Sequence, residues 1–137
     1  MWNPICFSLK KISSILITVF LIASCSKQPG EGGNASIYGK VYVKDYNATF
    51  TVLQEEYYAQ DQDVYIIYGD DISYGNHVKT AYNGAFEFKY LRKGDYHIYV
   101  YSKDSANQTN ALVPVIRDVT IDKSKQSIEV PEIVIFN

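Results

Sequence analysis

Alternation of apolar and polar side chains along short segments is the feature that most constrains the fold of this chain. In SIYGKVYVK (36–44), Ile37 and Val41 share one face of an extended strand, whereas Tyr38 and Tyr42 share the other. The same period of two recurs in DVYIIYG, HVKTAY, AFEFKYL, DYHIYVYS, ALVPVIRDVTI and SIEVPEIVIF, with short polar turns between these segments. The pattern therefore predicts an all-β, seven-stranded sandwich of two sheets.

Two features of the turns refine this prediction. HVKTAY and AFEFKYL flank Asn83 and Gly84, a dipeptide that suits a two-residue type I′ hairpin turn because both central residues need a positive φ. Pro114 and Pro131 cannot donate a backbone hydrogen bond, so we expect them at bulges, at strand ends or on an edge strand.

The segment NATFTVLQEEYYAQDQ (47–62) is an insertion after the first strand, and it does not alternate. Phe50, Leu53 and Tyr57 have the i, i+3, i+7 spacing of one helix face, so a short helix packed on the end of a sheet is one prediction. An extended segment along a sheet edge is the alternative.

The N-terminal region has the organisation of an export signal. Lys10 and Lys11 precede an apolar run (12–22), which small residues and Cys25 follow. In a helix the run would reach only about 16 Å, roughly half the thickness of a bilayer core, so we do not expect a permanent span.

The sequence Ile22-Ala23-Ser24-Cys25 resembles the cleavage box of bacterial lipoproteins. The resemblance implies cleavage before Cys25 and attachment of acyl chains to that residue, which would hold the protein at a membrane. We therefore expect a signal peptide (1–24), a lipidated cysteine with a flexible Gly-rich tether (25–35) and a β-sandwich domain (36–137). The alternatives are an ordinary secretory signal followed by a chance cysteine, or a signal that is retained as a helix.

Cysteine content and charge limit the chemistry of the mature chain. Cys6 leaves with the signal and Cys25 is used by lipid, so no thiol remains for a disulfide, a metal site or nucleophilic catalysis. The chain has 13 Lys and Arg against 15 Asp and Glu, and removing Lys10 and Lys11 makes it more acidic. An acidic chain without basic clusters argues against nucleic acid as a partner.

Four short motifs are distributed along the chain. They are Gly39-Lys40-Val41, Val64-Tyr65-Ile66, Asn83-Gly84-Ala85-Phe86 and the run from Leu91 to Val100. They resemble the pattern G-x-V, V-x-V, a [DN]-G-x-F hairpin and L-x-x-G-x-Y-x-I/V of the carboxypeptidase regulatory-like, transthyretin-like (prealbumin-like) sandwich family.

The resemblance implies an architecture rather than a reaction. It assigns a positive φ to Gly84, a tight reversal to Gly94, and core positions to Phe86 and Tyr96. Members of this family are mostly accessory modules beside peptidases, ahead of outer-membrane transporters or within adhesins. We therefore expect an anchored module that stands alone, without a catalytic partner domain.

Residues for catalysis or metal binding do not form recognisable motifs, so we expect no enzyme activity, no metal and no cofactor. His77 and His97 lack zinc spacing, and the alternation places His97 on the outer face of its strand. Four aspartates bracket the second predicted strand, but Tyr65 occupies the third ligand position of a calcium loop, which favours solvated strand ends. These aspartates are Asp61, Asp63, Asp70 and Asp71.

Tyrosine is abundant, with thirteen residues, and the alternation directs five of them away from the core. Aromatic side chains stack on sugars and anchor protein interfaces, so a glycan or a protein partner is the hypothesis. Cross-strand pairs that stabilise an ordinary solvated sheet are the alternative interpretation. The five residues are Tyr38, Tyr42, Tyr65, Tyr99 and Tyr101.

The tripeptide Asp104-Ser105-Ala106 lies in a polar loop and resembles the O-glycosylation sequon of Bacteroidetes, so Ser105 is a candidate modification site. A chance tripeptide is the alternative.

Together these features predict a non-catalytic, membrane-anchored lipoprotein of a Gram-negative, Bacteroidetes-like cell envelope, at the outer membrane. It would act as a binding or structural module. An accessory subunit of an outer-membrane transport or polysaccharide-uptake complex is the alternative.

Overall fold

The structure, a computed structural model, describes residues 27–137 and is all-β, with two sheets packed as a β-sandwich. The predicted signal peptide (1–24) and Cys25 lie outside the described residues. In chain order the strands are β1 (Glu31–Tyr46), β2 (Leu53–Tyr58), β3 (Asp63–Tyr68), β4 (Asn76–Lys79), β5 (Ala85–Leu91), β6 (Gly94–Asp104), β7 (Thr109–Ile121), β8 (Ser127–Glu129) and β9 (Ile133–Phe136).

The five-stranded sheet is organised around β1. Along its length, β1 pairs antiparallel with β5 and then with β2, and parallel with β8 and then with β9. The four-stranded sheet has the order β4-β3-β6-β7, with every pair antiparallel.

The core lies between the two sheets and follows the period-two pattern. Along β1, the odd-numbered residues from Ala35 to Val43 are buried. The large side chains with no more than 1% exposure are Ile37, Leu91 and Ile133 from the five-stranded sheet, and Ile66, Tyr96, Ile98 and Ile121 from the four-stranded sheet. Phe86 is also buried, as the family resemblance implied.

The described residues contain nine strands rather than the seven predicted, and β2 is one of the additions. The short helix predicted for the insertion is wrong, and the extended alternative is correct. Backbone pairing with β1 explains the result, because Tyr57 lies opposite Val43 and Tyr58 lies opposite Tyr42. Phe50 precedes the strand with a φ of 54° and stacks on the ring of Tyr46.

The second additional strand results from Pro131. The predicted strand 127–136 is divided into β8 and β9, with the proline between them. Pro114 lies in β7, which is an edge strand of its sheet. Both prolines are therefore where their missing amide hydrogen predicts.

The predicted hairpin at Asn83-Gly84 is wrong. β4 and β5 belong to different sheets, so the segment between them crosses the sandwich. Gly84 has a φ of 76°, but Asn83 is not in the positive-φ region, and the amide of Gly84 donates to the carbonyl of Ala81 at 2.9 Å. The buried hydroxyl of Thr80 secures this crossing by donating to the carbonyl of Ala59 and accepting from the amide of Gln62.

The sandwich also begins earlier than predicted. Residues 29–35 were expected in a flexible tether, but Glu31 starts β1, Gly30 is buried and Ala35 is only 1% exposed. The amide of Arg92 donates to the carbonyl of Gly30 at 2.9 Å, which fastens this segment to the turn after β5. Within residues 27–137, no helix long and apolar enough to cross a membrane is present.

Candidate functional site

The five outward-facing tyrosines are divided between the two sheets. Tyr38 and Tyr42 lie on the outer face of the five-stranded sheet because both belong to β1. Tyr65, from β3, and Tyr99 and Tyr101, from β6, lie together on the outer face of the four-stranded sheet. The sequence predicted the outward direction of each residue, but it did not show that two separate surfaces exist.

Cross-strand register builds a row of stacked rings on the four-stranded sheet. Tyr65 pairs with His77 of β4 on one side and with Tyr99 of β6 on the other. The Tyr65 and Tyr99 ring centroids are 5.0 Å apart with planes inclined by 13°, and those of Tyr65 and His77 are 5.7 Å apart at 28°. Stacked aromatic pairs of this kind add to the stability of a sheet.

Two further tyrosines stand against this row with their rings turned edge-on. Tyr74 contacts Tyr65 at 5.0 Å between centroids, and Tyr101 contacts Tyr99 at 5.5 Å, with interplanar angles of 62° and 84°. We call Tyr65, Tyr74, His77, Tyr99 and Tyr101 the tyrosine face.

The members of the tyrosine face differ in how much ring surface they offer to a ligand. Tyr65 and Tyr99 are half-buried, and the faces that they turn toward each other are occupied. Tyr74 and Tyr101 are 49% and 41% exposed. The stacked pair is therefore the support, and Tyr74 and Tyr101 are the rings most available for contact.

Aliphatic side chains from the edge strand β7 extend the tyrosine face. Ile116 lies opposite Tyr99 in the register and is 49% exposed. Leu112 lies opposite Lys103 and is 65% exposed, and Pro114 lies opposite Tyr101. Contiguous exposed apolar surface of this kind typically marks an interaction site.

Charged groups lie at the borders of the tyrosine face. Lys79 Nζ is 3.7 Å from Asp63 Oδ1, and His97 Nδ1 is 2.6 Å from Asp118 Oδ1. Both pairs are on the same outer face as the rings, in register positions next to them. They give the tyrosine face a polar rim around an aromatic centre, which is the usual organisation of a protein interface.

The phenol groups of the stacked pair remain neutral over the physiological pH range. Burial raises the pKa of Tyr65, and the carboxylate of Asp63 adds to the effect. Burial also raises the pKa of Tyr99, and the hydroxyl of Tyr101 raises it further. The face therefore offers uncharged hydroxyl groups that can donate and accept hydrogen bonds.

A smaller aromatic group lies on the other sheet. Tyr42 and Tyr58 pair edge to face with centroids 5.2 Å apart, and Lys40 Nζ lies 4.9 Å from the centre of the Tyr58 ring. The carboxylate of Glu132 raises the pKa of Tyr58. Tyr38 is separate from this pair and lines an open groove of about 810 Å³. The pair of Tyr42 and Tyr58 fits the interpretation of cross-strand stabilisation.

Several members of the tyrosine face were missed by sequence reasoning. His77 is an exposed histidine in a short strand, and only its register opposite Tyr65 shows its role. Tyr74 lies in the loop before β4, where alternation carries no information. Ile116 was not identified because its neighbour Val115 is also apolar, so the sequence of β7 does not show which of the two faces outward.

Ser105 lies in the turn between β6 and β7 and is half-buried. The carboxylate of Asp104 accepts hydrogen bonds from the amides of Ala106 and Asn107, at 3.1 and 3.0 Å, and from Asn107 Nδ2 at 2.7 Å. The Asn107 side chain is the largest cause of the lowered pKa of Asp104. The candidate modification site is thus in a polar turn that these hydrogen bonds hold together.

Metal-binding groups are not found in the described part of the chain, where no three His, Cys, Asp or Glu side chains lie close enough to share an ion. Asp70 and Asp71 are in the loop after β3, whereas Asp63 begins that strand and pairs with Lys79. The strand thus separates Asp61 and Asp63 from Asp70 and Asp71.

Comparisons with known proteins give little further information. No protein-family profile and no curated protein matches the chain. Among solved structures, the chain is similar to a protein of Pseudomonas aeruginosa described as a "putative carbohydrate binding protein". The identity is 12%, the TM-score is 0.44, and the match covers 82% of this chain and 93% of that one. A likeness at this level says nothing about what this chain binds.

Proposed function

We propose that this protein is a non-catalytic, lipid-anchored binding module of a Gram-negative cell envelope, and that it binds a protein partner through the tyrosine face. The single observation that carries the binding proposal is the exposed aromatic and aliphatic surface of the four-stranded sheet. Cys25 is the proposed lipid attachment site, and the outer membrane is the proposed location.

Anchoring is supported by the order of features in the N-terminal sequence. A basic start, a short apolar run and a cysteine preceded by small residues are followed immediately by the domain. Several acyl chains bound to one residue hold a protein at a bilayer, because each buried methylene contributes about 0.8 kcal/mol.

A protein partner is supported by the composition of the surface. Tyr74 and Tyr101 offer large rings with few rotatable bonds, and Leu112 and Ile116 offer aliphatic contacts beside them. Tyrosine is enriched at the energetic centres of protein interfaces, and exposed aliphatic groups favour an apolar partner surface over sugar hydroxyls. Docking on a membrane protein would make the chain an accessory subunit of a transport or uptake complex.

A glycan ligand is the second candidate, and the two exposed tyrosine rings of the tyrosine face favour it. Tyr74 and Tyr101 both stand beside neutral phenol groups that can hydrogen-bond to hydroxyls. In this case the chain would act as a polysaccharide-binding module, and the aliphatic border would have a smaller part in binding.

The transthyretin-like type of sandwich is also part of the proposal. It is supported by the backbone angles and the burial of the residues that carry the resemblance. Gly84 and Gly94 have φ values of 76° and 139°, and Phe86 and Tyr96 are buried in the core. The crossing between β4 and β5 departs from the hairpin that the motif suggested.

The anchor is tested by metabolic labelling with an alkyne-bearing palmitate analogue in the cells that express the full-length chain. We expect label on the wild-type protein and on Cys6→Ser, and none on Cys25→Ser. Intact mass of the purified mature protein would give the acyl groups and any sugar on Ser105. An unlabelled wild-type protein would reject the anchor.

The tyrosine face is tested with a pair of matched double variants. Tyr74→Ser with Tyr101→Ser removes the two exposed rings, whereas Tyr42→Ser with Tyr58→Ser removes a pair from the other sheet. Binding to an array of envelope polysaccharides and co-purification with a defined partner from crosslinked cells are measured for both. We expect the first variant alone to lose co-purification. A selective loss of array binding would favour the glycan, and equal binding by all proteins would reject the face.

A further inference from the structure

We propose that one end of the sandwich faces the lipid bilayer and that Ile72 contacts the lipid there. This end, which we call the proximal end, comprises Pro29, the loop between β3 and β4 (69–75) and the turn between β5 and β6. The inference rests on the proposed attachment of lipid to Cys25, and it adds the orientation of the domain on the membrane.

The first step is that the chain is held against the proximal end as soon as it enters the sandwich. The amide of Gly30 donates to the buried hydroxyl of Tyr96 at 2.9 Å. The ring of Pro29 lies against Gly94 and Gly69, where a Cβ on either glycine would meet it. Glu31 Oε1 accepts from Asn76 Nδ2 at 2.7 Å. Pro29 is therefore a fixed point of the domain.

The second step is the short distance along the chain from Cys25 to Pro29. A fully extended residue spans at most about 3.6 Å, so four residues reach at most about 14 Å. The acylated residue must lie at the membrane surface, and the proximal end must lie within this distance of it. The opposite end of the sandwich lies too far from Pro29 to be the end nearest the membrane. β6 runs from Gly94 at the proximal end to Asp104 and is roughly 30 Å long at about 3.3 Å per residue, which exceeds the reach of the four residues.

The third step is the exposure of Ile72. Its relative accessibility is 103%, the largest among the exposed apolar residues described. The loop that carries it begins at Gly69, directly beside Pro29, and the amide of Gly69 donates to the carbonyl of Asp95 at 2.8 Å. A branched aliphatic side chain held at the end nearest the membrane is suited to partition into the bilayer interface.

Attraction between charged side chains and lipid headgroups does not determine this orientation, because the proximal end carries both positive and negative groups. Lys27, Arg92 and Lys93 line one depression, and Asp70, Asp71 and Asp95 line another. The apolar contact of Ile72 does not depend on lipid charge, so we expect the anchored domain to take the same orientation on vesicles of zwitterionic and of anionic lipid.

The orientation determines what the rest of the surface can reach. β3 and β6 run between the two ends, so the tyrosine face lies on the side of the domain and is open to a partner in the plane of the membrane. Tyr74 belongs to this side although it is in the loop 69–75, because its ring packs on Tyr65 and His77. The turn that carries Ser105 follows the far end of β6 and projects away from the bilayer.

Tryptophan fluorescence tests the orientation directly, since the single tryptophan of the chain, Trp2, leaves with the predicted signal. The chain from Cys25 onward is coupled through that thiol to a maleimide phospholipid in phosphatidylcholine vesicles. Ile72→Trp then supplies the only indole, and brominated phosphatidylcholine quenches an indole that lies in the bilayer. The matched control is Ala106→Trp, which is exposed at the opposite end.

We expect brominated lipid to reduce the emission of Ile72→Trp and to leave that of Ala106→Trp unchanged. The same proteins without the maleimide lipid give the unanchored baseline, and circular dichroism checks that both variants fold. Absence of quenching at position 72, or equal quenching at both positions, would overturn the orientation. Because chemistry supplies the anchor in this experiment, failure of lipidation in cells would reject the proposed anchor without affecting this result.

Discussion

The hydroxyl group of Tyr96 accepts a hydrogen bond at 2.9 Å from the backbone amide of Gly30, which lies 66 positions earlier in the chain. The same hydroxyl donates to the carbonyl of Arg92 at 2.7 Å. A single buried phenol thus joins the entry of the chain to the turn between β5 and β6. Together with the hydrogen bond from the amide of Arg92 to the carbonyl of Gly30, this contact holds the N-terminal segment on the domain.

Removal of this hydroxyl tests the contact. We expect Tyr96→Phe to lower the free energy of unfolding by about 1–3 kcal/mol, because the buried amide of Gly30 loses its partner. Tyr82→Phe is the control, since Tyr82 is 81% exposed, and it should change stability by less than about 0.5 kcal/mol. Urea denaturation measures both, and equal stabilities of the two variants would contradict the assignment.

The close approach of Gly94 to Pro29 gives a second prediction. The φ of 139° and the position of the Pro29 ring leave no room for a side chain, so Gly94→Ala should destabilise the domain by about 1–3 kcal/mol. Hydrogen exchange of the Gly30 amide should become faster in this variant. Lys93→Ala, at the neighbouring exposed position, is the control and should leave both measurements unchanged.

The phenol of Tyr68 gives a prediction on pH. Burial raises its pKa to about 12, and the carboxylate of Glu31 contributes to the shift. In the unfolded chain the pKa is about 10, so between these values the native state keeps a proton that the unfolded state has lost, and stability falls as the pH rises. Melting temperatures at pH 8, 10 and 11 should show this fall. A Tyr68→Phe protein should show a smaller fall, and an identical pH dependence would contradict the cause.

Within the tyrosine face, the residue that stabilises the fold should differ from the residue that binds the partner. Tyr99→Leu removes the stacked partner of Tyr65, and we expect a loss of about 0.5–1.5 kcal/mol in unfolding free energy. Tyr101→Ser removes an exposed ring and should change stability less but binding more. Thermal denaturation and co-purification of the two variants with the same partner measure the difference. The reverse order of effects would show that the roles of support and contact are assigned wrongly.

Much of the fold could be predicted because burial in a strand has a period of two. The strand 85–91 has the predicted bounds, and the inward positions of Ile37, Val64, Tyr96 and Ile98 are confirmed. The helix predicted for the insertion was wrong because every residue of β2 is exposed. A strand with no buried face has no alternation of apolar and polar residues, so the sequence pattern could not distinguish it from a helix.

The candidate site was predictable only in part, because alternation gives the direction of a side chain but not the sheet to which its strand belongs. Tyr42 and Tyr99 look alike in sequence, yet they lie on opposite sides of the sandwich. Asn83 and Gly84 suggested a local hairpin, whereas long-range pairing sends β4 and β5 to different sheets. Local turn preferences do not contain that information.

Site-specific photo-crosslinking in intact cells shows whether the tyrosine face contacts a protein partner. A benzophenone amino acid is incorporated into the protein at position 101, on the tyrosine face, or at position 42, on the opposite sheet. We expect a discrete crosslinked product with one protein at position 101, its loss when Tyr74 is also changed to Ser, and no such product at position 42. Products of equal intensity at both positions, or none at position 101, would reject the tyrosine face as the partner surface.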